Sequence, residues 1–161
     1  MRVIITGSSG LIGTSLGLRL MADGIEVTGI DRLPNPWTDR IPTHLEDLCA
    51  TGTLETDPWG SADVVVHLAA RAKVHESVEH PSNALENYTV THRVLDYCRQ
   101  TGTPVIFGSS REVYGEQATI PVHEDAVRVE AVLPAFLGLE LVVVPAQGDE
   151  VGGTRRTGRP G

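Results

Sequence analysis

The sequence predicts an α/β chain, a mostly parallel sheet with helices on both faces. Three observations predict it. Apolar, β-branched runs of strand length alternate with stretches of helical period. The first run, Val3-Ile4-Ile5, leads into a turn with glycines at Gly7, Gly10 and Gly13 and then into a helical pattern. Residues with binding chemistry recur just past the predicted strands, on the carboxyl edge where open parallel sheets hold their ligands.

At 161 residues the chain is about one domain long, with 40% hydrophobic and 21% charged residues, the balance of a globular protein. A net charge of −8 argues against a nucleic-acid partner, whose phosphates would be repelled. No apolar run is long enough to span a bilayer, and the chain opens directly on a strand, so no membrane partner and a cytoplasmic location are expected. Cys49 and Cys98 lie far apart without metal-ligand spacing and read as reduced, partly buried thiols; no metal site is expected.

Taken in order, Val3 to Ile5 has the continuous apolar character of a buried parallel strand. The turn after it, G-x-x-G-x-x-G, is one residue longer than the G-x-G-x-x-G dinucleotide fingerprint. Glycine there accepts backbone angles that a Cβ forbids and lets a phosphate reach the main chain. The N–H groups and dipole at the start of the next helix would hold a pyrophosphate. That helix runs from about Leu11 to Ala22 and stops at Asp23-Gly24. Ile25 to Ile30 is the second strand, closed by Asp31 and Arg32. Asp31 would accept ribose hydroxyls and repel a 2′-phosphate, whereas Arg32 could accommodate one; NAD is favoured over NADP.

Leu33 to Arg40 is too rich in proline and turn formers for a helix. Thr43 to Leu48 is a short third strand ending at Asp47, and Ala50 to Gly60 a loop or short helical segment. Asp63 to Ala70 is a buried strand whose small terminal residues, Ala69 and Ala70, leave room for a ligand. His67 within it reads as a satisfied core histidine rather than a catalytic one. Pro81 to Gln100 is a long helix with an apolar face of Leu85, Tyr88, Val94, Leu95 and Cys98, ended by Thr101-Gly102. Thr103 to Gly108 is a fifth strand carrying Ser109 to Gly115 on its carboxyl edge.

The ordered set T-G-S-S-G-L-I-G, Asp31, H-L-A-A, Asn87 and S-S-R-E-V-Y-G resembles the extended short-chain dehydrogenase/reductases, and within them the NAD-dependent epimerases, dehydratases and decarboxylases of nucleotide sugars. The resemblance covers residues 1 to about 125 and implies a Rossmann-like domain. It implies that Gly7, Gly10 and Gly13 meet the pyrophosphate, with Leu11 and Ile12 beside it. Asp31 would bind the adenosine ribose, with Arg32 next to it. Asp47 and Leu48 would flank the adenine, Leu68, Ala69 and Ala70 would form the nicotinamide-ribose floor, and Asn87 and Ser109 are implied among the cofactor-binding residues. Ser110 matches the catalytic Ser/Thr that hydrogen-bonds the sugar hydroxyl, and Glu112 the acid/base of some dehydratases and decarboxylases. Arg111 departs from the Asp of one dehydratase group. A nucleotide sugar is the partner that the resemblance implies.

The family's chemistry also needs a Tyr-x-x-x-Lys pair, one helical turn apart, whose lysine lowers the tyrosine pKa so that a phenolate can take the hydroxyl proton. This sequence has tyrosines only at 88, 97 and 114, none with a lysine four residues on, and its single lysine, Lys73, precedes all three. Where the family places the tyrosine stand Leu133, Pro134, Ala135 and Phe136. Pro121 to Asp125 resembles the segment before the catalytic helix, and Leu139 to Pro145 the strand after it. Only residues 126–138 separate them, too few for the helix and its connections. An internal deletion is therefore expected there. Residues 1–145 form the NAD-binding domain, its sheet incomplete on one face, and 146–161 a disordered tail.

Three functions compete. One is the NAD-binding half of an epimerase or dehydratase, inactive alone; another is a NAD-sensing or partner-binding module; the third is an enzyme with an unconventional proton donor such as His123 or Tyr114. The first is favoured, because the third must replace both the tyrosine and the lysine. Loss of a helix would also uncover Val105, Ile106, Val142 and Val143, from which homo-oligomers or aggregation are expected.

Overall fold

The computed structural model describes residues 1–50, 59–110, 114 and 121–123. Within them the chain forms β1 (Arg2–Thr6), α1 (Leu11–Ala22), β2 (Glu26–Asp31), β3 (Thr43–Leu45), β4 (Val64–His67), α2 (Val74–Glu79), α3 (Ser82–Thr101) and β5 (Val105–Phe107). The five strands make one parallel sheet in the order β3-β2-β1-β4-β5. This is the Rossmann-like architecture, and the order reverses between β1 and β4. The proposed sixth strand, the deletion and the tail lie outside the described residues.

The pleat of β1 explains both layers. Ile4 faces one side, where Ile30, Val65 and Trp59 meet Val94, Tyr97 and Cys98 of α3. Val3 and Ile5 face the other, where Val27, Ile41 and Val66 meet Leu16, Leu20 and Met21 of α1. A strand buried on both sides must be apolar at every position, which is why its sequence shows no alternation. Gly24 and Gly102 end α1 and α3 in left-handed conformations, as the helix-stop signals predict.

Several expected boundaries are corrected. β3 stops at Leu45, because Asp47 makes a turn: its Oδ1 accepts from the Cys49 N–H at 2.9 Å and its carbonyl from Ala50 at 2.8 Å. β4 stops at His67, leaving Leu68 to Ala70 beyond the strand. The short α2 was not foreseen; Pro81 separates it from α3, disfavouring helical angles at His80. Leu85 and Tyr88 are not part of the buried face of α3, being 66% and 53% exposed. The inward face of that half of the helix carries Glu86, Asn87 and Val90 instead, because it borders the cleft described below. Val94 and Cys98 are buried as expected, and burial pushes the Cys98 thiol up to about 11, leaving it unreactive at neutral pH.

His67 is a satisfied core residue. It is 1% exposed, its Nδ1 shares a hydrogen bond with Thr6 Oγ1 at 2.6 Å, and its Nε2 lies 3.2 Å from Thr91 Oγ1. Burial lowers its pKa from 6.5 to about 4. The unfolded chain therefore binds this proton as pH falls through 6.5 while the folded chain resists until about 4. The resulting loss of stability develops between those values and amounts to roughly 2–4 kcal/mol. Urea midpoints of the native chain and His67→Gln, measured from pH 7 to 4, should diverge in slope over that window. Parallel profiles would show that another group controls the acid limb.

Candidate functional site

The carboxyl ends of β1, β2 and β4, the loop after β3 and the first half of α3 border an open cleft of about 180 Å³. It brings together Gly7 and Gly10, Asp31 and Arg32, Asp47 and Leu48, Leu68 to Ala70, and Asn87. These ten residues come from five separate stretches of sequence, four expected at the carboxyl ends of strands and the fifth, Asn87, implied by the family resemblance.

Gly7 leaves β1 with φ +74°, and a Cβ there would stand 2.7 Å from the Leu68 carbonyl carbon. Its N–H donates to Ile30 O at 2.9 Å, and its carbonyl accepts from Gly10 at 3.1 Å. Gly13 packs the first turn of α1 onto that same carbonyl: a Cβ would lie 2.3 Å from Gly7 O. The glycines thus let strand, turn and helix touch through their backbones. α1 begins without a side-chain cap and without an acidic residue in its first turn, so nothing on those side chains competes with an anion for its N–H groups.

Asp31 is held from two sides. Its Oδ2 accepts from the Ser9 N–H at 2.9 Å and its Oδ1 from the Leu33 N–H at 3.0 Å, which ties the end of β2 to the glycine turn and leaves lone pairs for further donors. Asn87 clamps the loop after β4. Its Oδ1 accepts from the Arg71 N–H at 2.6 Å and its Nδ2 donates to Arg71 O at 3.2 Å. Its side chain therefore shapes the cleft wall. Arg71 in turn donates to Glu86 Oε2 at 2.8 Å.

Other expected residues stand apart from the cleft. Leu11 and Ile12 occupy the first turn of α1 with side chains 70% and 68% exposed, and Gly13 is buried beneath them. Ser109 and Ser110 are exposed beyond β5, outside the cleft lining. Glu112 lies outside the described residues. His123 and Tyr114 are described, but neither lines the cleft.

Sequence reasoning missed Glu46, Cys49, Arg71, Glu86 and Val90 in the lining. It also missed Asn35, whose Nδ2 donates to Thr14 Oγ1 at 2.8 Å and to Ser8 O at 3.3 Å, bracing the glycine turn from the loop after β2. Asn35 Oδ1 accepts from the Trp37 and Thr38 N–H groups, an Asx turn that the turn-rich composition of this loop could have signalled. Burial, and then Asp47 and Glu86, raise the Cys49 pKa, keeping a neutral thiol in the cleft. The charged lining comprises Asp31, Glu46, Asp47 and Glu86 against Arg32 and Arg71.

A backbone cradle that a Cβ would fill, an uncapped helix start and a fixed carboxylate one strand away fit a dinucleotide, and define a dinucleotide-binding α/β protein. Residues 3–132 match the NAD dependent epimerase/dehydratase family, to which the chain belongs. Among curated proteins, it is 32% identical over 130 residues to the UDP-glucose 4-epimerase of Corynebacterium glutamicum, a match covering 78% of this chain and 40% of that protein. Among solved structures, it is similar to a UDP-galactose 4-epimerase, with 32% identity and a TM-score of 0.67 over 80% of this chain and 44% of the other. MoeE5, solved in complex with UDP-glucose and NAD, is 28% identical with a TM-score of 0.67, covering 80% of this chain and 42% of its own. The chain thus spans less than half the length of these relatives. No helix among the described residues is long and apolar enough to cross a membrane.

Proposed function

We propose that this chain holds NAD in the cleft and, without a Tyr-x-x-x-Lys pair in its sequence, does not turn over a nucleotide sugar. The observation that carries the cofactor half is the convergence of the glycine turn, Asp31, the loop after β3 and Leu68 to Ala70 on one cleft. Gly7 and Gly10 admit the pyrophosphate to the main chain, and the first turn of α1, where Leu11, Ile12 and Gly13 stand, supplies its N–H groups. Asp31 accepts the adenosine ribose hydroxyls, while Leu68 to Ala70 form a floor without large polar groups for the nicotinamide half. When bound, NAD supplies a hydride acceptor at the nicotinamide ring. Ser110 would orient a sugar hydroxyl on the same edge and Glu112 would act on a carbon next to a carbonyl, but neither replaces a basic phenolate. The UDP-sugar epimerases among the relatives make a nucleotide sugar the substrate class to test. We place the protein in the cytoplasm, and expect self-association through the β5 side of the sheet.

The excess of carboxylates around Arg32 and Arg71 favours NAD over NADP, because a 2′-phosphate would enter beside Asp31. Calorimetric titration with each cofactor should give the tighter binding for NAD by about tenfold or more, the factor that roughly 1.4 kcal/mol of charge repulsion produces. Equal or tighter NADP binding would show that Arg32 outweighs Asp31.

A further inference from the structure

We propose that Thr6, His67 and Thr91 form one oriented hydrogen-bond chain that positions the cleft floor at Leu68, Ala69 and Ala70, and so the nicotinamide half of the cofactor. The inference rests on NAD occupying the cleft. The three side chains stand outside the cleft lining and act through the backbone that forms it. Thr6 closes β1 and His67 closes β4, side by side in the sheet, and Thr91 lies on α3. All three are buried, although the residues before them in the two strands, Val3, Ile4 and Ile5 and Val64, Val65 and Val66, are apolar. Hydroxyls and an imidazole in such a core cost stability unless their polar atoms are paired.

Here they are paired in sequence. Thr6 Oγ1 lies 2.6 Å from His67 Nδ1, and His67 Nε2 lies 3.2 Å from Thr91 Oγ1. Thr6 also holds the first two amides beyond β4. Its carbonyl accepts from the Leu68 N–H at 3.0 Å, and its Oγ1 accepts from the Ala69 N–H at 3.4 Å. That last bond sets the direction of the chain. With a lone pair turned to Ala69, the Thr6 hydroxyl donates its proton to Nδ1. Burial keeps the ring neutral, so its single proton sits on Nε2 and is donated to Thr91. In this tautomer His67 holds the Thr6 oxygen as an acceptor toward Ala69, which fixes how the floor leaves the sheet. A network that only stabilised the core would affect every ligand alike. One that positions the floor affects only ligands that reach it.

The test compares NAD with ADP, which carries the adenosine and diphosphate but no nicotinamide ribose, by calorimetric titration. Thr6→Val keeps the shape and removes the hydroxyl. It should weaken NAD roughly three- to tenfold, the range of one hydrogen bond, and ADP by less than about twofold. Thr6→Ser keeps the hydroxyl and should restore native NAD affinity. Thr91→Val removes only the far end of the chain and should shift the NAD-to-ADP ratio the same way; it carries the test where Thr6→Val does not fold. Nitrogen NMR of the native imidazole should find the His67 proton on Nε2. An unchanged ratio, equal weakening of both ligands, no recovery with serine, or a proton on Nδ1 would overturn the assignment. Binding of neither ligand by the native chain, or of ADP alone, would remove the cofactor reading and the positioning role with it.

Discussion

Alanine at Gly7 or Gly13 should abolish NAD binding and destabilise the chain by roughly 2–4 kcal/mol, the sum of a left-handed backbone or a backbone clash and its repacking. At Gly7 the new methyl meets the Leu68 carbonyl carbon at 2.7 Å and the Ala69 nitrogen at 2.8 Å, and φ is +74°. At Gly13 it meets Gly7 O at 2.3 Å and Ser8 Cα at 2.8 Å. All four are backbone atoms, so no rotamer change relieves the overlap. Moving them shifts the turn against the end of β4, which are two walls of the proposed site. Gly10 separates folding from binding, since its Cβ would find only Gly7 O, at 3.2 Å. Gly10→Val should therefore unfold much closer to the native chain yet lose binding as its side chain meets the pyrophosphate. Denaturant midpoints and calorimetry on the three variants measure both effects. Native-like binding by Gly13→Ala would show that α1 does not have to lie against the turn.

Given NAD and UDP- or dTDP-sugars, the purified chain should form neither NADH nor an epimerised or dehydrated sugar. Oxidising a carbinol requires removal of its hydroxyl proton by a base poised near the working pH, and losing such a base typically slows a reaction about 10²- to 10⁴-fold. Tyr88, Tyr97 and Tyr114 have Val, Thr and Ala, and not lysine, among the residues that follow within a turn, and none has lysine four residues on. Tyr97 is buried against Trp59, and Tyr88 stacks on His92 on the outer face of α3, so neither is placed for the cleft. Loss of substrate positioning multiplies the deficit. Product whose rate falls on Ser110→Ala would revive the enzyme with an unconventional proton donor.

The first half of the site was legible because its causes are local. A β-branched run, three glycines and a helical pattern follow one another within Arg2 to Ala22, and Asp31 closes the next strand. What stayed hidden depends on contacts across the chain. Asn35 gains its role only by reaching Thr14 and Ser8, and Glu46 is held in the cleft lining by the Trp59 indole N–H. Leu85 and Tyr88 carry the right spacing for a core face. The cleft reverses that expectation, since Asn87 must turn toward Arg71 and so carries Leu85 and Tyr88 outward. Asp47 ended the expected third strand two residues late, because a side chain that captures the Cys49 N–H makes a turn in place of a ladder.

Amide hydrogen exchange with and without saturating NAD tests the cofactor site most directly. NAD should slow exchange at Gly7 to Thr14, at Asp31 to Leu33, at Asp47 to Cys49 and at Leu68 to Arg71, while the exposed outer face of α3 around Leu85 and Tyr88 stays unchanged. Unaltered exchange throughout, or protection confined to residues outside these four stretches, would contradict a dinucleotide bound in this cleft.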